Sequence, residues 1–323
     1  MKYQILSTLL LALLTSRATA FWQQGHLMVA RVAYNHLQSE APEALKAAND
    51  MLAVYSKSNP SMTKLEGDYP FVECATFADE IKAKGGAFQS GWHFIDTPYL
   101  DQGGSISDYP QFKFDENHIG KVIPAIVDWL SGTEGYENSF VYQAVQQHVE
   151  NEEEGKSYAL RLLIHYLGDI HQPLHATSRV DHQYPKGDAG GNFFHVAQKG
   201  EVKNLHSLWD SVVYEFTDTP SMPYNSNGWN KLGSAIQTMA SKFTFPNNEY
   251  NSVDVNLWVN ESFEVAQNAV YANIKENQAA SDSYVQQNQK VIEKQIIIGG
   301  LRLATVIKQV FGNNTNQAAA FLQ

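Results

Sequence analysis

The chain has 323 residues, of which 43% are hydrophobic and 12% are aromatic. A chain of this length and composition can bury a large core, so intrinsic disorder is excluded as the main interpretation. It carries 23 lysines and arginines against 34 aspartates and glutamates, a net charge of −11, which argues against gripping nucleic acid through a broad basic surface. The single cysteine excludes an intramolecular disulfide bond.

The first 20 residues have the pattern of a secretory signal peptide. Lys2 is followed by an apolar run from Ile5 to Leu14 and then by small residues that end at Ala20. The run is too short to span a bilayer, and the small residues form an A-x-A cleavage site. We therefore expect cleavage after Ala20 and a mature N-terminus at Phe21. The alternative is a buried N-terminal helix.

Residues 21–323 are expected to form one exported domain, because no shift in composition marks a boundary and no later apolar run has the length of a membrane helix. We expect a secreted product that does not associate with membranes. Asn260 and Asn313 begin N-x-S/T sequons, which a host that glycosylates exported proteins could modify. Without a disulfide, such a protein must be stabilised by core packing or by metal.

The hydrophobic period of this domain is mostly helical. We predict helices at residues 25–38, 42–55, 75–83, 118–130, 139–149, 157–170, 207–216, 231–242, 255–273 and 281–310. Strand-like alternation is limited to short pieces, mainly residues 192–198, which predict a small β-hairpin near residues 190–204. The predicted fold class is therefore all-α.

The segment from His165 to His175 concentrates three histidines and one aspartate. His165 and Asp169 are four positions apart, so a helix presents both on one face, as it does when it offers two ligands to one metal ion. Pro173 is expected to end that helix and to turn His175 in another direction, toward a different ion.

His206 and Asp210 repeat the same four-residue spacing. The alternative for either pair taken alone is an ordinary ion pair on a helix surface. Two such pairs in an exported chain without disulfides favour metal binding over that alternative.

Several motifs occur in one order along the chain. They are F-W-Q-Q-G-H at residues 21–26, A-D-E at 78–80, W-H-F-I-D-T-P at 92–98, the histidine segment at 165–175, G-G-N at 190–192 and N-L-H-S-L-W-D at 204–210. In this order they resemble the S1/P1 nuclease family, and the resemblance continues more loosely through residues 258–271 and 299–311. It implies a mostly helical fold, three zinc ions, and hydrolysis of single-stranded DNA and RNA to 5′-nucleotides together with 3′-nucleotidase activity.

The resemblance also assigns the ligands of the three Zn²⁺ ions. The first ion would be held by Asp79, His93, His165 and Asp169. The second would be held by His175, His206 and Asp210. The third would be held by His26, by Asp169 as a bridge, and by the α-amino group and carbonyl oxygen of Phe21, so that removal of the leader completes the site. Imidazole and carboxylate ligands suit zinc better than manganese or iron.

Four further residues are expected to contact the substrate. The resemblance implies that Lys82 lies near the substrate and Asn192 near the phosphate. It also implies that Phe94 stacks on a base without reading its identity and that Asp96 bonds the base edge. The catalytic residues implied by the resemblance are Asp79, Lys82, Asp169 and Asn192. The alternatives are a solvated lysine at 82 and ordinary core packing at 94. The expected partners are single-stranded DNA, RNA and 3′-nucleotides, with no stable protein partner.

Two other functions remain open at this point. A zinc-dependent phospholipase C belongs to the same superfamily and differs in what its site accepts. A zinc-binding protein without catalytic activity would keep the ligands for stability alone. The motifs that contain Phe94, Asp96 and Asn192 favour nucleic acid over a lipid head group, and incubation with single-stranded DNA separates the enzymatic from the non-catalytic interpretation.

Overall fold

The computed structural model describes residues 21–312, so the expected signal peptide and the sequon at Asn313 lie outside the described residues. Eleven α-helices are formed in this range: α1 Gln23–Glu40, α2 Pro42–Ser58, α3 Pro70–Glu73, α4 Phe77–Glu80, α5 Ile119–Ser131, α6 Phe140–Gln146, α7 Glu152–Asp169, α8 Leu205–Asp210, α9 Ser226–Ala240, α10 Val255–Val265 and α11 Asp282–Phe311. The all-α prediction is confirmed. Within residues 21–312, no helix has the length and apolar character needed to cross a bilayer.

Helix α7 lies at the centre of the bundle. It packs against α1, α2, α5, α6 and α11, and every residue from 157 to 169 is buried. A helix covered on all sides can place polar side chains in the interior, which is where its histidine and aspartate lie. The 30-residue helix α11 packs closely on α1 because Gly300 has no Cβ, which would otherwise lie 2.4 Å from the Cβ of Val32.

Two small sheets accompany the helices in the described part of the chain. Strands β3 (His195–Lys199) and β4 (Val202–Asn204) form the predicted hairpin, which is thereby confirmed. The parallel pair β1 (Pro98–Tyr99) and β2 (Ser178–Arg179) is not predicted, because a strand of two residues is too short to show alternation. This pair joins the loop after His93 to the loop after His175.

Three predicted helices are interrupted by a change of backbone conformation. Helix α8 ends at Asp210. Val212, Val213 and Tyr214 have φ angles of 53°, 52° and 69°, which lie in the left-handed region and are incompatible with a right-handed α-helix. The helix predicted to reach residue 273 gives way to a π-helical segment at Ala266–Val270. The segment 75–83 contains only the short helix α4 between two 3₁₀ turns. Hydrophobic spacing alone does not report such backbone changes.

Candidate metal centre

Helix α7 presents His165 and Asp169 to the centre of the site, one turn apart and fully buried. His165 Nδ1 donates to the carbonyl oxygen of Ala75 at 2.7 Å. Because that bond places the ring hydrogen on Nδ1, Nε2 carries a lone pair. This lone pair lies 3.3 Å from Asp169 Oδ2 and 3.9 Å from Asp79 Oδ2.

His93 meets the same carboxylate from the other side. Its Nε2 donates to Gln89 Oε1 at 2.8 Å, while the amide of Gln89 is fixed by donating to the carbonyl oxygen of Ala78 at 2.8 Å. The lone pair of His93 is therefore on Nδ1, 2.8 Å from Asp169 Oδ2 and 3.2 Å from His165 Nε2. With His165 neutral and Asp169 ionised, three acceptors face one another, an arrangement that a cation would stabilise.

A second group consists of His175, His206 and Asp210, whose ligand atoms lie within 4.8 Å of one another. His175 Nδ1 donates to the carbonyl oxygen of His93 at 3.0 Å, and His206 Nδ1 donates to the carbonyl oxygen of Gly190 at 2.7 Å. Both Nε2 atoms are buried without a hydrogen-bond partner. As the sequence predicts, the chain turns after α7, and Pro173 lies in a 3₁₀ turn that places His175 beside α8.

His26, in the second turn of α1, lies beside both groups. Its ring stacks on that of His165 with centroids 3.7 Å apart, and its Nε2 lies 3.4 Å from Asp169 Oδ1. Both ring nitrogens of His26 and this carboxylate oxygen lack hydrogen-bond partners. Phe21 packs beside His26, with ring centroids 5.9 Å apart, and fits there because Gly25 has no Cβ to meet its side chain.

Burial sets the charge of these groups. It lowers the pKa of His26, His93 and His175 well below the usual value and that of His206 to about 4, so all four are neutral at neutral pH and keep a lone pair. His165 differs: burial lowers its pKa, but the nearby Asp169 and Asp79 outweigh burial and raise it. Burial also raises the pKa of Asp169 to about 6 and that of Asp210 well above its usual value. A bound cation would reverse these two carboxylate shifts.

The four residues expected to contact substrate lie less deeply. Lys82 Nζ donates to Asp79 Oδ1 at 2.7 Å, and both side chains are partly exposed. The half-buried ring of Phe94 lies 4.4 Å from that of His175. Asn192 Nδ2 donates to the carbonyl oxygen of Ala189 at 2.9 Å. For Asp96, also half-buried, burial and the nearby carboxylates of Asp188 and Asp115 raise the pKa to about 6.

Comparisons with known proteins assign the chain to a family. The model of the S1/P1 Nuclease family matches residues 21–312. The chain belongs to the S1/P1 nuclease family. Similar proteins include Endonuclease 3 of Arabidopsis thaliana, 26% identical over 98% of this chain and 97% of the relative. Nuclease S1 of Aspergillus oryzae is 32% identical over 44% of this chain and 41% of the relative. Nuclease P1 of Penicillium citrinum is 30% identical over 58% of this chain and 56% of the relative.

Membership makes this S1/P1 nuclease a hydrolase whose substrates are nucleic acids, and the family is metal-dependent. The residues present fit metal ions. The unpartnered atoms of the buried cluster are nitrogen lone pairs and carboxylate oxygens, the donor set that divalent metals such as zinc accept. In a metal-free protein these buried atoms would be left unsatisfied: the N–H of His26 as a donor, and the others as acceptors.

Sequence reasoning missed the residues of this S1/P1 nuclease that orient the proposed ligands. Gln89 accepts from His93 and from the hydroxyl of Tyr166, 2.5 Å away, while Gln172 donates to Asp210 at 2.8 Å. A glutamine four positions before His93 on a helical turn was the available signal for the first of them. His171, the middle histidine of the segment from His165 to His175, lies apart from both groups, since its Nε2 is 3.1 Å from an Arg302 nitrogen.

Proposed function

We propose that this protein is a zinc-dependent nuclease that hydrolyses phosphodiester bonds in single-stranded DNA and RNA to 5′-nucleotides and removes phosphate from 3′-nucleotides. The observation that supports a metal site most directly is the meeting of His165 Nε2, His93 Nδ1 and Asp169 Oδ2, three acceptors within 3.3 Å of one another. Such a cluster is stabilised by a cation. The family membership supports the choice of nucleic acid as substrate.

Three Zn²⁺ ions are proposed, each with its own ligand set. The first set is Asp79, His93, His165 and Asp169. The second is His175, His206 and Asp210. The third is His26, Asp169 and the backbone amine and carbonyl of Phe21, which packs beside His26. When bound, zinc supplies concentrated positive charge for a phosphate and lowers the pKa of a water molecule.

The chain's own residues would position the substrate around this cluster. Lys82 lies at its rim, where the ammonium group is held by Asp79 at 2.7 Å and can attract a phosphate. The side-chain amide of Asn192 donates one hydrogen to the carbonyl oxygen of Ala189, and its second hydrogen can be donated to a phosphate oxygen. Gly190 and Gly191 precede it with φ angles of 59° and 76°, so their backbone can pass close to a ligand.

Phe94 would provide the preference for single strands. Its half-buried ring lies beside His175, so a base that leaves the strand can stack on it next to the ligand cluster. Stacking uses the π-face that every base has and requires an unpaired base. Asp96, two residues later, would bond the edge of that base, so cleavage would tolerate many sequences.

We also propose that the protein is exported after cleavage before Phe21. The basis is the pattern of Lys2, the apolar run and the small residues up to Ala20. Cleavage matters for catalysis in this proposal, because an amine within a peptide bond has no free lone pair for a metal. Asn260, exposed on α10, is the proposed glycosylation position within the described residues.

Native mass spectrometry of the secreted protein tests the export and the metal content together. We expect a mature chain beginning at Phe21 that carries three zinc ions, and digestion of single-stranded DNA that chelation abolishes. Hydrolysis of a short-chain phosphatidylcholine without cleavage of DNA would support the phospholipase interpretation instead. A zinc-loaded protein that cleaves neither substrate would be a non-catalytic binding protein.

Asp169→Asn tests the shared ligand. Its carboxylate lies within 3.5 Å of nitrogen atoms of four histidines, so the substitution should remove two of the three ions and reduce activity by more than about 100-fold, the upper value for a residue that only supports a ligand. The matched control is Asp128→Asn on the exposed side of α5, with unchanged metal content. Full activity in Asp169→Asn would contradict the ligand assignment.

A further inference from the structure

Asp188 is a fully buried aspartate two residues before Gly190, and it is not among the proposed metal ligands. Its Oδ1 accepts a hydrogen bond from the backbone N–H of Arg179 at 3.0 Å, and its Oδ2 accepts one from the hydroxyl of Tyr271 at 2.8 Å. Burial raises its pKa to about 6, although hydrogen bonds from the backbone of Gly191, from Tyr271 and from the backbone of Arg179 favour the charged form. The carboxylate therefore joins Tyr271 to the backbone of β2 and to the loop that follows Asp188.

The main chain of Asp188 closes this loop, which runs from residue 188 to 193. The carbonyl oxygen of Asp188 accepts from the backbone N–H of Phe193 at 3.1 Å. Between these two residues, Ala189, Gly190 and Gly191 have φ angles of 53°, 59° and 76°. A left-handed backbone is unfavourable for an alanine, so the loop keeps this shape only while its surroundings impose it.

The loop supports two residues of the candidate site. The carbonyl oxygen of Gly190 accepts from His206 Nδ1 at 2.7 Å, which leaves the lone pair of that ring on Nε2. Asn192 lies on the loop itself, and its side-chain amide donates to the carbonyl oxygen of Ala189 at 2.9 Å. A shift of the loop would therefore move a proposed zinc ligand and a proposed phosphate contact together.

The π-helical segment at Ala266–Val270 places Tyr271 beside Asp188. The backbone N–H of Tyr271 donates to the carbonyl oxygen five residues back, at 3.0 Å, which is the π-helical spacing. The hydroxyl of Tyr284 donates to the carbonyl oxygen of Val270 at 2.6 Å and fixes the same turn. Single π-helical turns are frequent at functional sites. The end of this segment thus holds the Tyr271 hydroxyl against the carboxylate.

We propose that Asp188 and Tyr271 are positioning residues, whose hydrogen bond holds the loop in the shape that directs His206 toward zinc and Asn192 toward a phosphate. Both act through the loop, because the bonds of the Asp188 carboxylate lead to Tyr271 and to backbone N–H groups. The effect on Asn192 rests on the proposed function. The effect on His206 requires only that the site binds zinc.

Tyr271→Phe in the secreted, zinc-loaded protein tests this hydrogen bond, since it removes one hydroxyl and changes no charge. We expect one zinc ion to be released at about tenfold lower EDTA concentration than in wild type, the lower end of the range for residues that orient a ligand. The other ions should be retained as in wild type. Native mass spectrometry across a series of EDTA concentrations counts the ions that remain.

Tyr136→Phe is the matched control. It also breaks a hydrogen bond between a tyrosine and a carboxylate, to Glu152 at 2.7 Å, but Glu152 begins α7 about 20 Å along the helix from His165. Its zinc release should match wild type. Equal release from both variants, or release of all ions together in Tyr271→Phe, would overturn the proposal, because either result would indicate a general loss of packing.

Asp188→Asn keeps the size of the side chain and replaces one accepting oxygen by a donating amide. It should weaken the same zinc ion at least as much as Tyr271→Phe. The double variant should be no weaker than Asp188→Asn alone, because both changes break the same bond. Additive losses would contradict a shared role. If Asp188→Asn does not fold, Tyr271→Phe decides the question by itself.

Kinetics on a dinucleotide with zinc in excess test the effect on Asn192. Tyr271→Phe should lower kcat/KM by about tenfold in the wild-type background. It should have little effect in an Asn192→Ala background, because the contact that the loop positions is already absent. The same loss in both backgrounds would refute the role given to Asn192. If the protein binds zinc and cleaves no nucleic acid, the proposed function fails, and the selective release of one zinc ion still decides whether Asp188 and Tyr271 position His206.

Discussion

Helix α7 carries two buried polar clusters one turn apart, and they are satisfied in opposite ways. At Arg161 every contact joins a donor to an acceptor. The guanidinium donates to both oxygens of Glu66 at 2.8 and 2.7 Å, to the carbonyl oxygen of Leu52 at 2.9 Å and to the carbonyl oxygen of Ser157 at 3.0 Å. At His165, one turn later, the atoms facing inward are acceptors that meet other acceptors.

The difference between the clusters indicates which one requires a bound cation. Both are fully buried, so burial and polarity do not separate them. The hydrogen bonds separate them. The donors of Arg161 are paired with acceptors, whereas His26, His175 and His206 each have a buried ring nitrogen without a hydrogen-bond partner. The Arg161 cluster should therefore control stability alone, and the His165 cluster should control metal binding and activity.

Arg161→Met should give the largest effect on stability. Removing one member of a buried, hydrogen-bonded ion pair leaves Glu66 unpaired and costs about 3–5 kcal/mol in the free energy of unfolding. The specific activity of the folded fraction should remain within about threefold of wild type, because Arg161 contacts none of the proposed ligands. Denaturant unfolding combined with active-site-normalised rates measures both quantities.

The control for this substitution removes the partner as well. Arg161→Met combined with Glu66→Leu leaves no unpaired charge, so it should recover part of the lost stability. The comparison between the clusters would fail if Arg161→Met kept its stability and lost zinc.

Gln89→Leu should act on the other cluster, with a smaller effect. It removes the acceptor for His93 Nε2–H and for the Tyr166 hydroxyl, so the ring of His93 loses its fixed tautomer. We expect a loss of about 10–100-fold in metal affinity or activity, the range found when a residue that orients a ligand is removed. Competition with a chelator measures the affinity. Gln143→Leu, on the exposed side of α6, is the control, and equal zinc retention in both variants would refute the role given to Gln89.

The sequence predicts the helical fold and the grouping of the proposed ligands, because both depend on local spacing. His165 and Asp169, like His206 and Asp210, lie on one helical face as soon as a helix forms. The turn at Pro173 likewise follows from its chemistry. The parts that could not be predicted depend on distant contacts. Nothing in the spacing brings the carbonyl oxygen of Ala75 to His165 or shows that the ring of His26 stacks on it.

The surroundings of Arg31 on α1 illustrate the same limit. Arg31 lies five positions after His26 and reads in the sequence as an ordinary polar residue of α1. Its guanidinium lies over the ring of Trp229 of α9, which stacks on Tyr69, and these two residues are 198 and 38 residues away (229 − 31 and 69 − 31). Only the packed structure reveals that no carboxylate within residues 21–312 forms an ion pair with its guanidinium.

Asp96 is a third carboxylate to compare with those of the two clusters. It has neither an ion-pair partner nor a place among the proposed metal ligands. Glu66 is paired with Arg161 and Asp169 faces the proposed metal site, whereas burial, together with Asp188 and Asp115, raises the pKa of Asp96 to about 6. Since the folded pKa is above the usual 3.8, the native state binds the proton more tightly, and wild type loses stability as the pH rises from about 4 to about 6.

Asp96→Asn removes that titration and should give the smallest effect. Relative to the variant, wild type should lose no more than about 1 kcal/mol between pH 4.5 and 7.5, because solvent screens the half-buried group. Denaturant unfolding of both proteins across this range measures the difference, and effects of pH on the metal ligands cancel between them. A difference that stays constant or changes in the opposite direction would mean that Asp96 has a cationic partner. The contrast drawn between Asp96 and the carboxylates of Glu66 and Asp169 would then be wrong.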